Sequence, residues 1–169
     1  MIDFTGMSRP YFKRVFEAEL RAEEAVEASQ SRLLGSLLAC GARTAYGAAH
    51  SFGSIRNYAD FAASVPVADY ASLREPVMRM INGARNELWP GVTRSFAQSS
   101  GTSDGKSKFI PITPRSLRRG HYVGAAFSLA SYLHYYPDSH VFGGKNFILG
   151  GSFANEIATP PGVLSLIHI

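Results

Sequence analysis

One run, Gln98-Ser99-Ser100-Gly101-Thr102-Ser103-Asp104-Gly105-Lys106-Ser107-Lys108, lies between two stretches that read as strands. Thr93 to Ala97 precede it as a short strand, and Lys108 to Thr113 follow it as another. Phe109-Ile110-Pro111-Ile112 is β-branched and interrupted by proline, so no helix opens directly after the loop. Any fold for this chain must therefore carry a Ser/Gly-rich loop from strand to strand. A new helix becomes possible only at Thr113-Pro114, which supplies a cap and a first-turn proline.

The loop's composition points to anion binding. Glycines let the backbone take positive φ angles and approach a ligand closely. Successive N–H groups can then form a concave nest for an anion. Ser99, Ser100, Thr102 and Ser103 add neutral donors, while Lys106 and Lys108 add point charges. Such parts can hold a triphosphate tail and neutralise charge that develops on a leaving pyrophosphate. A solvated Ser/Gly turn is the plainer alternative, since such stretches also form linkers. The two lysines and the flanking strands favour phosphate binding. The P-loop of nucleotide hydrolases is a rival, but Gly101 and Gly105 enclose three residues where that motif needs four. A P-loop also opens straight into a helix, which the following strand forbids.

Upstream the chain reads as helical. Tyr11, Phe12, Val15 and Phe16 recur at helical spacing, as do Leu33, Leu34, Leu37 and Leu38, which predicts a helix over 8–39. Ser8 is its expected cap, Pro10 falls in its first turn, Gly41 ends it, and Gly35 permits a break. A turn-rich stretch, TAYGAAHSFGSI, leads to a second helix near Tyr58 to Ala63, capped by Asn57 and ended at Val65-Pro66. A third is expected from Tyr70 to Ile81, stopped by Asn82-Gly83, and Leu88-Trp89-Pro90-Gly91 reads as a turn. The helix after Thr113-Pro114 is expected to run to about Tyr135, with Tyr132, Tyr135 and Tyr136 as a core stripe, and Lys145 to Leu149 as a final strand.

Composition narrows the function classes. With 46% hydrophobic and 18% charged residues the chain is globular in character. The net charge of +4 is diffuse. Its densest basic group, Arg115, Arg118 and Arg119, reads as a solvated helix face, and no nucleic-acid signature accompanies it. Cys40 is the single cysteine, which rules out an intramolecular disulfide and leaves it as a small core residue. His50, His121, His134, His140 and His168 show no metal-binding spacing, so no metal ligand is assigned and a structural or surface role is expected. No apolar run reaches membrane-span length and no secretory signal is visible, so a cytoplasmic location without membrane contact is the expectation. The closing residues, Leu164-Ser165-Leu166-Ile167-His168-Ile169, match a forward translation of a common transposase-derived sequencing adapter. Residues 164–169 are accordingly expected to be a library artefact, although their composition also permits a short terminal strand.

The run Phe96-Ala97-Gln98-Ser99-Ser100-Gly101-Thr102-Ser103, continued by Lys106-Ser107-Lys108-Phe109-Ile110-Pro111, resembles the auxin-responsive promoter family. These are acyl-acid amido synthetases within the adenylate-forming enzymes, alongside acyl-CoA synthetases. Leu88-Trp89-Pro90-Gly91, Val65-Pro66-Val67 with Tyr70, and Thr44-Ala45-Tyr46-Gly47 support the resemblance upstream. Gly144-Lys145 and Leu149-Gly150-Gly151-Ser152 support it downstream. The resemblance implies an α/β fold: a helical N-terminal segment leading into part of the large N-terminal domain of an adenylate-forming enzyme, incomplete over 1–163. It implies that Ser99, Ser100, Gly101, Thr102 and Ser103 contact the phosphates of ATP. Lys108 takes the place of the lysine that closes the shared motif, with Lys106 beside it. ATP and Mg²⁺ are the implied cofactors, and a small carboxylic acid and an amino acid the implied substrates. The other two nucleotide motifs and the C-terminal domain of the family fall outside this sequence, so the fragment alone is expected to be inactive. An acyl-CoA synthetase-like enzyme and a noncatalytic anion-binding fragment remain the alternatives. The resemblance names no catalytic residue and no oligomeric state.

Overall fold

The computed structural model describes residues 2–23, 25–99 and 108–145, and the backbone of 166–168. The helices are α1 (Thr5–Glu23), α2 (Val26–Gly41), α3 (Ala45–Ala49), α4 (Tyr58–Ser64), α5 (Tyr70–Ile81), α6 (Pro114–Ser116) and α7 (Tyr122–Tyr135). A 3₁₀ turn, Phe52–Ser54, precedes α4, and a π turn, Leu117–His121, joins α6 to α7. The strands are β1 (Ser95–Ser99), β2 (Lys108–Ile112) and β3 (Leu166–His168). The chain divides into two compact units: Met1–Ser29 with Pro114–Gly150, and Gln30–Thr113 with Gly151–Ile169.

In the first unit α1 lies against α7. Phe16 is buried and stacks on His134, with ring centroids 4.1 Å apart. Arg9 donates to the Ser139 carbonyl at 2.7 Å, which ties the end of α7 to α1. The expected helix over 8–39 is in fact two helices, and it starts a turn earlier than Ser8. The reason is Asp3, whose carboxylate accepts the Thr5 N–H at 2.8 Å and caps the helix there. Pro10 consequently sits inside α1 rather than in its first turn, at the cost of one backbone bond. The expected tyrosine stripe is also corrected: Tyr132, Tyr135 and Tyr136 are exposed, and Ala130 and Leu133 are buried instead. Helical spacing alone does not say which of two adjacent apolar faces a neighbour covers.

Asp3 is also bonded to the Thr5 hydroxyl and to His140 Nδ1, each at 2.5 Å. These bonds, with the Thr5 hydroxyl foremost, hold its carboxyl at about 2, below the usual carboxylate range. A depressed pKa means stabilisation that is complete above about pH 4 and lost as pH falls toward 2. The urea midpoint of the protein is therefore expected to exceed that of Asp3→Ala at pH 6. The gap should close by about pH 2, and a gap that persists there would remove the carboxylate from this role.

In the second unit, local capping sets the helices. Thr44 Oγ1 accepts the Gly47 N–H at 2.9 Å, Asn57 Oδ1 the Asp60 N–H at 2.9 Å, and Asp69 Oδ1 the Ser72 N–H at 2.9 Å. At the end of α5 the Gly83 N–H reaches the Met80 carbonyl and the Ala84 N–H reaches the Arg79 carbonyl. This closure needs a left-handed residue, and Gly83 supplies it with φ +89°. The turn after α5 is held by Asn86, whose Oδ1 accepts the Gly91 N–H at 2.6 Å. The Asn86 and Glu87 carbonyls accept the first N–H groups of α3, at 2.7 and 3.1 Å.

Val77, Met80, Ile81, Phe96 and Phe109 form the core, with Leu88 and Trp89 packed against it. β1 sits centrally in a sheet of order β2-β1-β3, antiparallel to β2 and parallel to β3. The backbone of Leu166–His168 has partners on β1. Lys145 to Leu149, the expected final strand, lies almost wholly outside the described residues.

Candidate functional site: the feet of the Ser/Gly loop

β1 ends at Ser99 and β2 begins at Lys108, and these two residues are paired across the ladder. The loop that joins them therefore leaves and returns at neighbouring points, about 5 Å apart between Cα atoms. Each strand is where the sequence pattern puts it, though β1 is displaced two residues toward the loop. The displacement follows from Gln98, which is buried with Phe96 and Ala97 and belongs to the strand rather than to the loop.

Side chains alternate across a strand, and cross-strand partners share a face. Phe96, Gln98 and Phe109 thus occupy the core side of the hairpin. Ser99 and Lys108 lie together on the opposite side with Ala97 and Ile110, and both are half-buried. A hydroxyl donor and an ammonium stand side by side at the point where the loop begins and ends. That pair can hold an anion from one flank: the hydroxyl as an oriented neutral donor, the ammonium as a charge. Of the residues expected to bind phosphate, the structure brings these two together. Ser100, Gly101, Thr102, Ser103 and Lys106 lie outside the described residues.

The hairpin is anchored from the side by Tyr70, the first residue of α5. Its hydroxyl accepts the Phe109 N–H at 2.7 Å and faces the Phe109 carbonyl at 3.4 Å. Nothing in the local sequence announces this bond, because its partners are 39 positions apart. The resemblance includes Val65-Pro66-Val67 with Tyr70 among its matching stretches but assigns Tyr70 no contact with the loop.

Among the described residues, no three His, Cys, Asp or Glu side chains gather as a metal site. Four histidines have contacts among the described residues: His50 on Tyr46, His121 on Tyr122, His134 on Phe16 and His140 on Asp3. Of the three residues of the expected solvated face, Arg118 and Arg119 are exposed on the π turn and Arg115 is half-buried. No helix among the described residues is long and apolar enough to cross a membrane.

A helical section leading into this strand–loop–strand has the fold of the N-terminal part of an acyl acid amido synthetase. The solved structure of GH3.15 acyl acid amido synthetase superposes with a TM-score of 0.64 at 26% identity, covering 82% of this chain and 24% of that one. Residues 17–164 match the GH3 family N-terminal domain, and the chain belongs to that family. The indole-3-acetic acid-amido synthetase GH3.8 of Oryza sativa subsp. indica is 36% identical over 95 residues, 56% of this chain and 16% of that protein. The indole-3-acetic acid-amido synthetase GH3.4 of Arabidopsis thaliana is 27% identical over 128 residues, 71% of this chain and 21% of that protein. The chain thus spans between 16% and 28% of the lengths of the curated relatives it matches.

Proposed function

We propose that this chain is the phosphate-binding opening section of a longer enzyme that joins a carboxylic acid to an amino acid. The juxtaposition of Ser99 and Lys108 at the feet of the Ser/Gly loop carries this reading, and the names of the relatives agree with it. Ser99, Ser100, Gly101, Thr102 and Ser103 hold the phosphates of ATP through hydroxyls and backbone N–H groups. Lys106 and Lys108 supply positive charge. In the first step a carboxylate oxygen of the acid attacks the α-phosphorus, the bond to the bridging oxygen breaks, and pyrophosphate leaves. In the second step the amine of the amino acid attacks the acyl carbon, loses a proton, and expels AMP. The loop acts in the first step, where negative charge moves onto the leaving pyrophosphate.

Mg²⁺ fits this site as a companion of the nucleotide. A hard cation takes oxygen ligands, and Ser99 with the other hydroxyl residues of the loop would offer such oxygen beside the phosphates. When bound it would neutralise phosphate charge that one or two lysines leave uncompensated. A cytoplasmic setting, where ATP and amino acids are both present, suits this chemistry.

Pyrophosphate–ATP exchange tests the reading. The full-length protein, given ATP, Mg²⁺ and a panel of carboxylic acids, is expected to exchange label only when a suitable acid is present. The isolated 169-residue chain should show none. Adding amino acids should then yield an amide. Thioester formation with coenzyme A in place of the amide would favour the acyl-CoA synthetase alternative. A full-length protein without acid-dependent exchange would leave only the noncatalytic anion-binding reading.

A further inference from the structure

We infer that Tyr70 is a positioning residue for the phosphate loop, acting through the backbone of Phe109 on its neighbour Lys108. In an antiparallel ladder the residues of one strand point their N–H and C=O groups alternately toward and away from the partner. The Phe109 N–H is met by the Tyr70 hydroxyl at 2.7 Å, so it points away from β1. Pro111 has the same parity and has no N–H to satisfy. The outer edge of β2 is therefore closed at both positions, by a phenol at one and by a proline at the other. The two devices differ in consequence. Pro111 only blocks the edge, whereas Tyr70 pulls on it.

The pull is applied at the residue next to Lys108. α5 is itself fixed, by the Asp69 cap at its start and by Val77, Met80 and Ile81 in the core. The Tyr70 ring carries that rigidity to Phe109, whose own side chain is buried in the same core. Phe109 is thus held by side chain on one side and by backbone on the other. Its neighbour Lys108 inherits a fixed Cα position and direction at the return foot of the loop. Ladder pairing to Ser99 then transmits the same restraint to the departing foot. Preorganisation of this kind is what a phosphate-holding lysine needs, since a charge displaced by an ångström loses much of its effect.

This inference rests on the phosphate-loop reading, and its test separates the two. In the full-length protein, Tyr70→Phe removes one hydroxyl and keeps the ring. The KM for ATP in acid-dependent exchange is expected to rise roughly five- to tenfold, the effect of one hydrogen bond. The KM for the carboxylic acid should stay within about twofold, as a general loosening of the protein would move both. Hydrogen exchange at the Phe109 amide should accelerate in the same variant. An unchanged KM for ATP with a faster Phe109 amide would show that the bond exists but positions nothing. A variant that fails to fold, or that loses both substrates equally, would also overturn the inference, because the hydroxyl would then serve the fold. If the wild-type protein shows no ATP-dependent exchange, it is the function that fails. If it shows exchange that Lys108→Ala weakens and Tyr70→Phe does not, only the Tyr70 role fails.

Discussion

Lys108→Ala in the full-length protein is expected to lower kcat/KM for ATP about a hundredfold, the usual cost of removing one preorganised charge from a developing anion. Lys108 opens β2, pairs with Ser99, and lies on the side of the hairpin away from the core. Truncation there removes no core packing, so the urea midpoint should fall little. Activity and stability are thus predicted to separate. Lys108→Arg should recover only part of the loss, because a planar fork does not replace a compact ammonium that follows a moving phosphate. Pyrophosphate–ATP exchange at varied ATP reads the effect directly. Wild-type kinetics in Lys108→Ala would remove the lysine from the site and weaken the whole phosphate-loop reading.

The second large effect concerns Phe96, which is fully buried at the centre of the second unit. It packs with Val77, Met80, Ile81 and Phe109, so helix α5 and both strands of the hairpin share it. Truncation to alanine forfeits the transfer energy of the ring and leaves a cavity that rigid neighbours cannot fill. A loss of about 3–5 kcal/mol is expected. Denaturant unfolding at constant slope would measure it, and a loss below about 1 kcal/mol would mean that this core is not packed as described. Such a loss is a large fraction of a typical domain's stability, so the variant is expected to express poorly as well.

These two sites show why parts of the structure are legible in the sequence. Asn57, Asn82 and Gly83 act through bonds to residues three or four positions away, so α4 and α5 fall almost where the pattern puts them. The strand–loop–strand is legible for a similar reason. Phe109-Ile110-Pro111-Ile112 refuses a helix whatever surrounds it.

The failures are of two kinds. Glu23 ends α1 within a run of good helix formers, where local preference predicts continuation, and Gly35, the expected place for a break, lies inside α2. Tyr132, Tyr135 and Tyr136 are spaced as a core stripe yet stand exposed, because burial depends on a neighbour that spacing does not name. The link of Asp3 to His140 is not legible in the sequence, since the two residues are 137 positions apart. Within the candidate site the residue types were readable from the loop itself. That Ser99 and Lys108 share a face required the register, and the anchoring by Tyr70 required the fold.

The closed outer edge of β2 has a consequence for solubility. A sheet grows when an extended segment of another molecule bonds to outward-facing N–H groups of its edge strand. On β2 the Phe109 N–H is already taken by the Tyr70 hydroxyl, and Pro111 has none to give. Fibrils that lengthen by strand addition therefore find no donor at either position on that flank.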